Sequence, residues 1–386
     1  MALVYHEIKS VKEIKVHGRQ PLPARAQKQD FIPLLFNGAA VEFITDSSEV
    51  WLTVETNSGF HEPWVTYEIN GAVMGRQMLL PGVHEICIFR SMSAGVQKRV
   101  KFYRELQAMG EDADCRILVK GIKADGAFFP VPEAKAKIEF IGDSITSGEG
   151  TYGASDDWDW IPMYMSFSRN YANIISRKLN ADVRMFSQGG WGIYCGWDND
   201  VRHNIPAVYE NVCTLSTGEY NANVLGTQDP YDFSVWQPDV VVINLGTNDR
   251  SAFNQPPFTD PVTGETNKQE YESDGSFKPE HIGKVEKAVK DFLRTLRTHY
   301  PKAHLVWVYG MLGYDITIFI ADAVREYSRE TGDTNVAFIN LPNTLGDKYG
   351  SHMHPGYPSH EQAAEVLAAY LAEKLNIENR TLGGNF

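Results

Sequence analysis

The hydrophobic period of this chain changes near residue 133, and that change limits the fold more than any single motif. Between residue 40 and about residue 120, apolar positions alternate with polar ones: Val41, Phe43 and Thr45, then Val50, Leu52 and Val54, then Val65, Tyr67 and Ile69. A period of two places one row of side chains in a core and the other in water, which predicts half-buried strands. Asn70-Gly71 separates runs at 64–69 and 72–74, and this pair supplies the positive φ angles of a tight hairpin. Further runs at 84–89, 100–104 and 116–122 bring the count to that of a β-sandwich. Gly126-Ala127-Phe128-Phe129-Pro130-Val131-Pro132 then breaks the alternation, which puts a domain boundary near residue 133.

Beyond the boundary, β-branched runs at 138–141, 183–186, 240–244, 305–309 and 336–340 alternate with helical patterns. Helices are expected at about 170–179, 281–300, 317–331 and 361–375. The second has the apolar face Ile282, Val285, Val289, Phe292, Leu293 and Leu296. Ser359 and Gln362 have capping-box spacing at the start of the last. Strand-helix alternation predicts an α/β domain, a parallel sheet with helices on both faces. The expected organisation is a β-sandwich over 1–133, an α/β domain over 134–378 and a C-terminal tail over 379–386. Two long connections, 191–236 and 250–280, are polar and aromatic without periodicity; loops of this length carry function or lack order.

Composition narrows the partners. With 386 residues and 43% hydrophobic content, the chain can bury a sizeable core. Thirty-six basic against forty-nine acidic residues give a net charge of −13, and neither terminus has a basic run, so nucleic acid is not an expected partner. The longest apolar runs are of strand length, so no membrane association is expected. The start of the chain does not read as a secretory signal, and Cys87, Cys115, Cys195 and Cys213 show no CxxC spacing. A cytoplasmic location is the expectation, with a secreted mature form as the alternative. An oligomer is left open.

In an open parallel sheet the ligand sits outside the carboxyl ends of the strands, so the residues that follow each strand matter most. They are Gly142-Asp143-Ser144-Ile145-Thr146, then Ser187-Gln188-Gly189-Gly190-Trp191-Gly192, then Gly246-Thr247-Asn248-Asp249 and, by way of a loop, Ser351-His352-Met353-His354-Pro355. A serine hydroxyl needs an imidazole to take its proton, and a tetrahedral intermediate needs donors aimed at its oxyanion. The set therefore suits acyl transfer, with donors from the Ser144 N–H, a glycine N–H and the Asn248 amide. Asp143 is expected to support its turn. His352 and His354 form a His-x-His pair, but no third ligand has motif spacing with them, so no metal site is expected.

These four blocks resemble the SGNH (GDSL-type) hydrolases, whose motifs centre on Ser, Gly, Asn and His in this order. The leading sandwich and the junction Lys137-Ile138-Glu139-Phe140-Ile141-Gly142-Asp143-Ser144-Ile145-Thr146-Ser147-Gly148 make residues 40–375 similar to carbohydrate esterase family 2. The resemblance implies a jelly-roll-like sandwich followed by a three-layer α/β/α domain with a flavodoxin-like parallel sheet. It implies a serine esterase that removes O-acetyl groups from hemicellulose, either xylan or glucomannan or their oligosaccharides, without a cofactor. Ser144 would be the nucleophile and His354 the base, with an oxyanion hole of Ser144, Gly190 and Asn248; Gly192 is a substitute for Gly190. Many members carry an aspartate three residues before the histidine, where this chain has Ser351. A Ser-His dyad is therefore expected, its imidazole held by a backbone carbonyl, with Asp347 as the fallback third member and His352 at the rim. Among Trp158, Trp160, Tyr164, Trp191, Tyr194 and Trp197, most are expected to pack under loops, and Trp160, Trp191 and Trp197 are the candidates to line a sugar cleft. The alternatives are another acyl substrate, such as a lipid ester, a thioester or a sialic-acid acetate, or a weakly active polysaccharide-binding protein.

Overall fold

The computed structural model describes residues 2–382; positions 383–386 of the expected tail lie outside the described residues. The period-two region forms two antiparallel sheets packed face to face. One has the strand order Val4–Glu7, Arg116–Ala124, Val50–Asn57, Gly82–Phe89, and the other Phe128–Phe129, Ala40–Thr45, Lys98–Arg104, Trp64–Ile69, Ala72–Met78. Val41, Phe43, Val50, Leu52, Val54, Val65, Val100 and Phe102 interdigitate between them as one apolar cluster.

The predicted hairpin turns at Asn70 (φ 53°) and Gly71 (φ 83°), pairing Ile69 with Ala72. Its second strand runs to Met78 rather than ending at residue 74. None of its residues is buried, so it lacks the alternation that would have extended the reading. Three short strands, Val4–Glu7, Lys15–His17 and Ile32–Pro33, also join the sandwich sheets ahead of the first predicted run. At two to four residues each, they are too short to show a period.

The second region is a five-stranded parallel sheet in the order Ala181–Ser187, Ala136–Gly142, Val240–Asn244, His304–Gly310, Val336–Leu341. This is the flavodoxin-like order, in which the chain adds its second strand on one side of the first and the remaining strands on the other. Helices Tyr171–Leu179 and Tyr357–Leu375 cover one face through Ile174, Ile175, Leu367 and Leu371, and Pro279–His299 and Thr317–Thr331 cover the other through Val285, Val289, Ile320 and Val324. The predicted capping box does not form. The last helix starts at Tyr357 after Gly356, and the Ser359 hydroxyl donates to Lys348 O at 3.2 Å. The connection over 191–236 is ordered by burial. Ile193, Ile205, Tyr209, Val212 and Phe233 join the core under the Pro279–His299 helix. Among the described residues, no helix is long and apolar enough to cross a membrane.

The seam between the two halves is part apolar and part ionic. Phe31, Leu35, Phe36 and Leu118 share a core with Phe186 and Tyr209. Arg19, 1% exposed, reaches Glu139 at 3.3 Å and lies 4.4 Å from the ring centres of Phe186, Tyr209 and Tyr231. His17 bridges Glu42 of the sandwich and Asp182 of the parallel sheet, 2.8 Å from each.

Candidate active site

The site is assembled at the carboxyl edge of the parallel sheet, one turn at a time. After the strand Ala136–Gly142, the buried Asp143 caps a single helical turn, Ser144–Ser147, by accepting from the Ile145 N–H at 3.0 Å. Burial pushes the Asp143 carboxyl up to about 7, against that N–H, with Asp249 and Glu149 adding to the rise. The cap holds Ser144 at the first position of the turn, where its backbone N–H has no helical partner. The side chain of Ser144 faces the chain that arrives from the other end of the sheet.

That chain brings His354. Its Nε2 lies 2.8 Å from Ser144 Oγ, and its Nδ1 lies 2.8 Å from the carbonyl oxygen of His352. A carbonyl only accepts, so Nδ1 carries the ring proton and Nε2 presents a lone pair to the hydroxyl. The turn needed to aim the ring is strained, for His352 and Met353 both have left-handed φ, 54° and 55°. Each such residue costs roughly 1–3 kcal/mol. Tight packing of two loops offsets it. At Gly150 (φ +73°) a Cβ would lie 2.5 Å from Ser351 O and 2.7 Å from His354 Cβ, so the loop after Ser144 runs directly against the histidine loop.

Ser351, at the position where an acid was sought, is buried against Gly153. A Cβ on that glycine would lie 2.1 Å from Ser351 Cβ, which leaves no room for a carboxylate. Asp347, the fallback third member, is not there either. It is exposed on the turn Gly346–Lys348, and the Nδ1 it would have to reach is taken by the His352 carbonyl.

The acid that does stand at the imidazole is Glu149, which the sequence reading missed. Its N–H donates to Ser144 O at 3.0 Å, closing the nucleophile turn, and its buried carboxylate accepts from His352 Nδ1 at 2.8 Å and lies 3.5 Å from His354 Nδ1. Burial raises this carboxyl, but His354, His352 and Trp160 outweigh burial and leave it below its ordinary value. His352 is correspondingly raised by its bond to Glu149, against desolvation. Glu149, His352 and His354 offer ligand atoms within 4.8 Å of one another, so the third group that spacing did not reveal exists. The protonated Nδ1 of His354, turned to a carbonyl, makes this a hydrogen-bonded group and not a ligand set. His352, its side chain 40% exposed, is engaged through both its ring and its carbonyl.

Asn248 and Gly190 stand after the strands on either side of Ala136–Gly142. Asn248, 8% exposed, sits in the first turn after Val240–Asn244, where its amide donates to Trp191 O at 2.9 Å and lies 3.4 Å from Asp143 Oδ2. Gly190 (φ +78°) accepts from the Trp197 N–H at 3.0 Å, and among the described residues its own N–H makes no hydrogen bond. Gly189 donates to Gln107 Oε1 of the sandwich at 2.7 Å. Gly192 donates to His203 O at 3.2 Å, which removes it as a substitute oxyanion donor. Asp249, buried behind Asn248, accepts from the N–H groups of Ile193, Tyr194 and Cys195 at 2.8, 2.7 and 3.1 Å and thereby shapes this loop. Its place next to Asn248 was the available sign.

The aromatics divide. Trp197 is 49% exposed, and its ring stands 3.2 Å from where a Gly190 Cβ would lie. Trp160 is half-buried, edge-on to His61 of the sandwich at 5.1 Å and packed, like Trp64, against Leu106, Met109, Cys115 and Met165. Trp191 packs on His203 at 5.1 Å and against the core. Trp158 is 65% exposed, Tyr164 donates to Asp157, and Tyr194 donates to Asn267 at 3.1 Å.

With this geometry in hand, the likeness to known proteins is informative. Residues 140–364 match the GDSL-like lipase/acylhydrolase family. The structure superposes on an acetyl xylan esterase, Est2A, from the rumen bacterium Butyrivibrio proteoclasticus, with a TM-score of 0.94 and 50% identity over 97% of this chain and 99% of that one. Among curated relatives, the cellulase/esterase CelE of Acetivibrio thermocellus is 26% identical over 348 residues, 88% of this chain. The chain spans only 37% of the length of that relative. An acetylxylan esterase / glucomannan deacetylase of Cellvibrio japonicus is 22% identical over 353 residues, 90% of this chain and 87% of the relative.

Proposed function

The chain belongs to the GDSL-like lipase/acylhydrolase family, and from that premise we propose that it is a carbohydrate acetylesterase, removing O-acetyl groups from xylan, glucomannan or their oligosaccharides through an acetyl-enzyme on Ser144. The observation that carries this reading is the two-sided hold on His354, 2.8 Å to Ser144 Oγ and 2.8 Å to the His352 carbonyl, which fixes both the tautomer and the direction of a general base. The acetyl and sugar parts of the reading draw on the relatives. Trp197 supports the sugar part, since it offers a flat, half-exposed ring beside Gly190 of the kind that stacks on a pyranose face.

In this mechanism His354 Nε2 takes the Ser144 proton as Oγ attacks the acetyl carbonyl. The oxyanion rests on the N–H groups of Ser144 and Gly190 and on the Asn248 amide, which turns one N–H toward it from Trp191 O or Asp143 Oδ2. Collapse breaks the bond to the sugar oxygen, which leaves as the hydroxyl with the proton from His354. Water then attacks the acetyl-enzyme, giving its proton to Nε2 while its oxygen bonds the carbonyl carbon. Acetate departs, and Ser144 Oγ recovers the proton.

The test is acetate release from acetylated xylan and acetylated glucomannan oligosaccharides by wild type and Ser144→Ala, with nitrophenyl acetate as control. Release from one sugar, lowered about 10⁴-fold or more in the variant, is the expected outcome. Equal release by both proteins would end the Ser144 mechanism. Hydrolysis of nitrophenyl acetate without release from either sugar would keep the chemistry and remove the substrate.

A further inference from the structure

We propose that Glu149 is the positioning acid of this site: carried on the nucleophile's own turn, its carboxylate fixes the histidine pair and stabilises the imidazolium that forms when His354 takes the proton of Ser144. The inference rests on the esterase reading and adds a residue to it.

Three observations converge. First, the two places where an acid could approach from the histidine side are closed, Ser351 by its packing against Gly153 and Asp347 by its exposure. Second, Glu149 is bound into the nucleophile turn by its N–H on Ser144 O, and the loop that follows it is joined to the histidine loop by the Ser351 N–H on Gly150 O at 3.1 Å. The carboxylate therefore moves with both reacting side chains. Third, His352 serves twice. Its Nδ1–H holds Glu149 at 2.8 Å, its carbonyl holds His354 at 2.8 Å, and the two imidazoles lie parallel with centres 5.5 Å apart. At 3.5 Å from His354 Nδ1, Glu149 is too far for a good hydrogen bond but close enough to act through its charge. A carbonyl can orient the ring, and only an anion can offset the full positive charge it acquires.

The surrounding groups are few. Asp143 faces Glu149 from the end of the first parallel strand, and Trp160 faces it from the loop before Tyr171–Leu179. His360, on the helix Tyr357–Leu375, faces His354, and burial holds it down to about 3, so it stays neutral. His352, bonded to the same carboxylate, is then the nearby group that competes with His354 for it.

The experiment has two arms. In the first, kcat and KM for nitrophenyl acetate are measured against pH for wild type, Glu149→Gln and Glu149→Asp. Glu149→Gln is expected to lower kcat about 10- to 100-fold with KM changed less than about twofold, and to move the acidic limb of kcat/KM down by about one pH unit, with partial rescue by aspartate. In the second, the His354 ring is titrated by NMR in the Ser144→Ala protein, which needs no activity. Glu149→Gln should lower its pKa by about one unit, and His352→Asn, which tolerates the left-handed backbone and removes the competing imidazole from the carboxylate, should raise it. An unmoved limb and an unmoved titration in Glu149→Gln would overturn the proposal. If that variant does not fold, a His354 titration left in place by His352→Asn would overturn it as well. A wild type inactive on every ester, with the titration shifts as expected, would instead remove the esterase reading and leave the role of Glu149 as a charge partner of His354.

Discussion

The parallel-sheet half of the molecule brings Ser144, Gly190, Asn248 and His354 to one edge, whereas the sandwich half brings none of these and holds the turns that carry them. Asn37 donates to Thr146 O at 3.3 Å, beneath the nucleophile turn, and accepts from Ser187 Oγ at 3.1 Å. Gln107 accepts from the Gly189 N–H at 2.7 Å, next to Gly190, and Glu105 accepts from the Ser168 N–H at 3.0 Å. All three are buried. Turns at strand ends leave backbone polar groups without a ladder partner, and a second layer of polar side chains completes them. The contrast extends to the cores. The sandwich closes on an apolar cluster of its own, while its seam with the parallel sheet buries charge, at Arg19–Glu139 and at His17 between Glu42 and Asp182. The sandwich half thus meets the parallel sheet in two separate ways, by bracing its turns and by burying charge along the seam.

Four measurements test that division. Arg19→Met should have the largest effect on stability, about 3–5 kcal/mol in denaturant unfolding, because it strands Glu139 in a buried site; kcat of the folded enzyme should not change. A loss below about 1 kcal/mol would mean that the seam does not depend on this pair. Next, Asn248→Ala should reduce kcat on nitrophenyl acetate about 100- to 1,000-fold with little change in KM, the mark of an oxyanion donor on the parallel-sheet side. A change confined to KM would assign Asn248 to substrate binding instead. Gln107→Ala should lower kcat about tenfold, since losing the hydrogen bond to the part-buried Gly189 N–H costs about 1 kcal/mol and disturbs Gly190. Full activity in that variant would reduce the sandwich to a packing partner.

The smallest effect concerns acid. Burial alone would raise Glu42 and Asp182, but His17, with Lys101, Arg99 and Lys15, outweighs it and holds both well below the ordinary carboxylate range. Their stabilisation is complete above the unfolded carboxylate values near pH 4 and is lost as pH falls below them. The thermal midpoint should therefore drop between about pH 5 and pH 3, and His17→Leu, less stable at neutral pH, should show a shallower drop. Parallel pH profiles for the two proteins would show that this cluster does not link the halves.

Much of this was legible beforehand, and the misses have physical reasons. The blocks holding Ser144, Gly190 and Asn248 could be placed on one edge because each follows a parallel strand, whereas His354 comes by way of a loop, and the choice of Gly190 and His354 within their blocks rested on the resemblance to the SGNH hydrolases. The capping box at Ser359 failed because Gly356 and Pro358 start the helix earlier, so the local spacing was real but lay inside the first turn. Glu149 was passed over because it lies 203 residues from His352, with no spacing rule between them, and their contact depends on two loops packing at Gly150. Asn37 and Gln107 lie in connections of the sandwich half, outside the alternating runs, so hydrophobic period says nothing of which strand end they brace.

By itself the sequence determined the two architectures, since hydrophobic period is a local property that water enforces on each segment separately. It also determined the chemical set at the sheet edge, since a strand end and the residue after it are neighbours in the chain. The tertiary structure alone decided which carboxylate faces the imidazole and which half braces the turns. Those choices depend on distances of about 3 Å between segments far apart in sequence, and such distances exist only once both domains and their loops have packed.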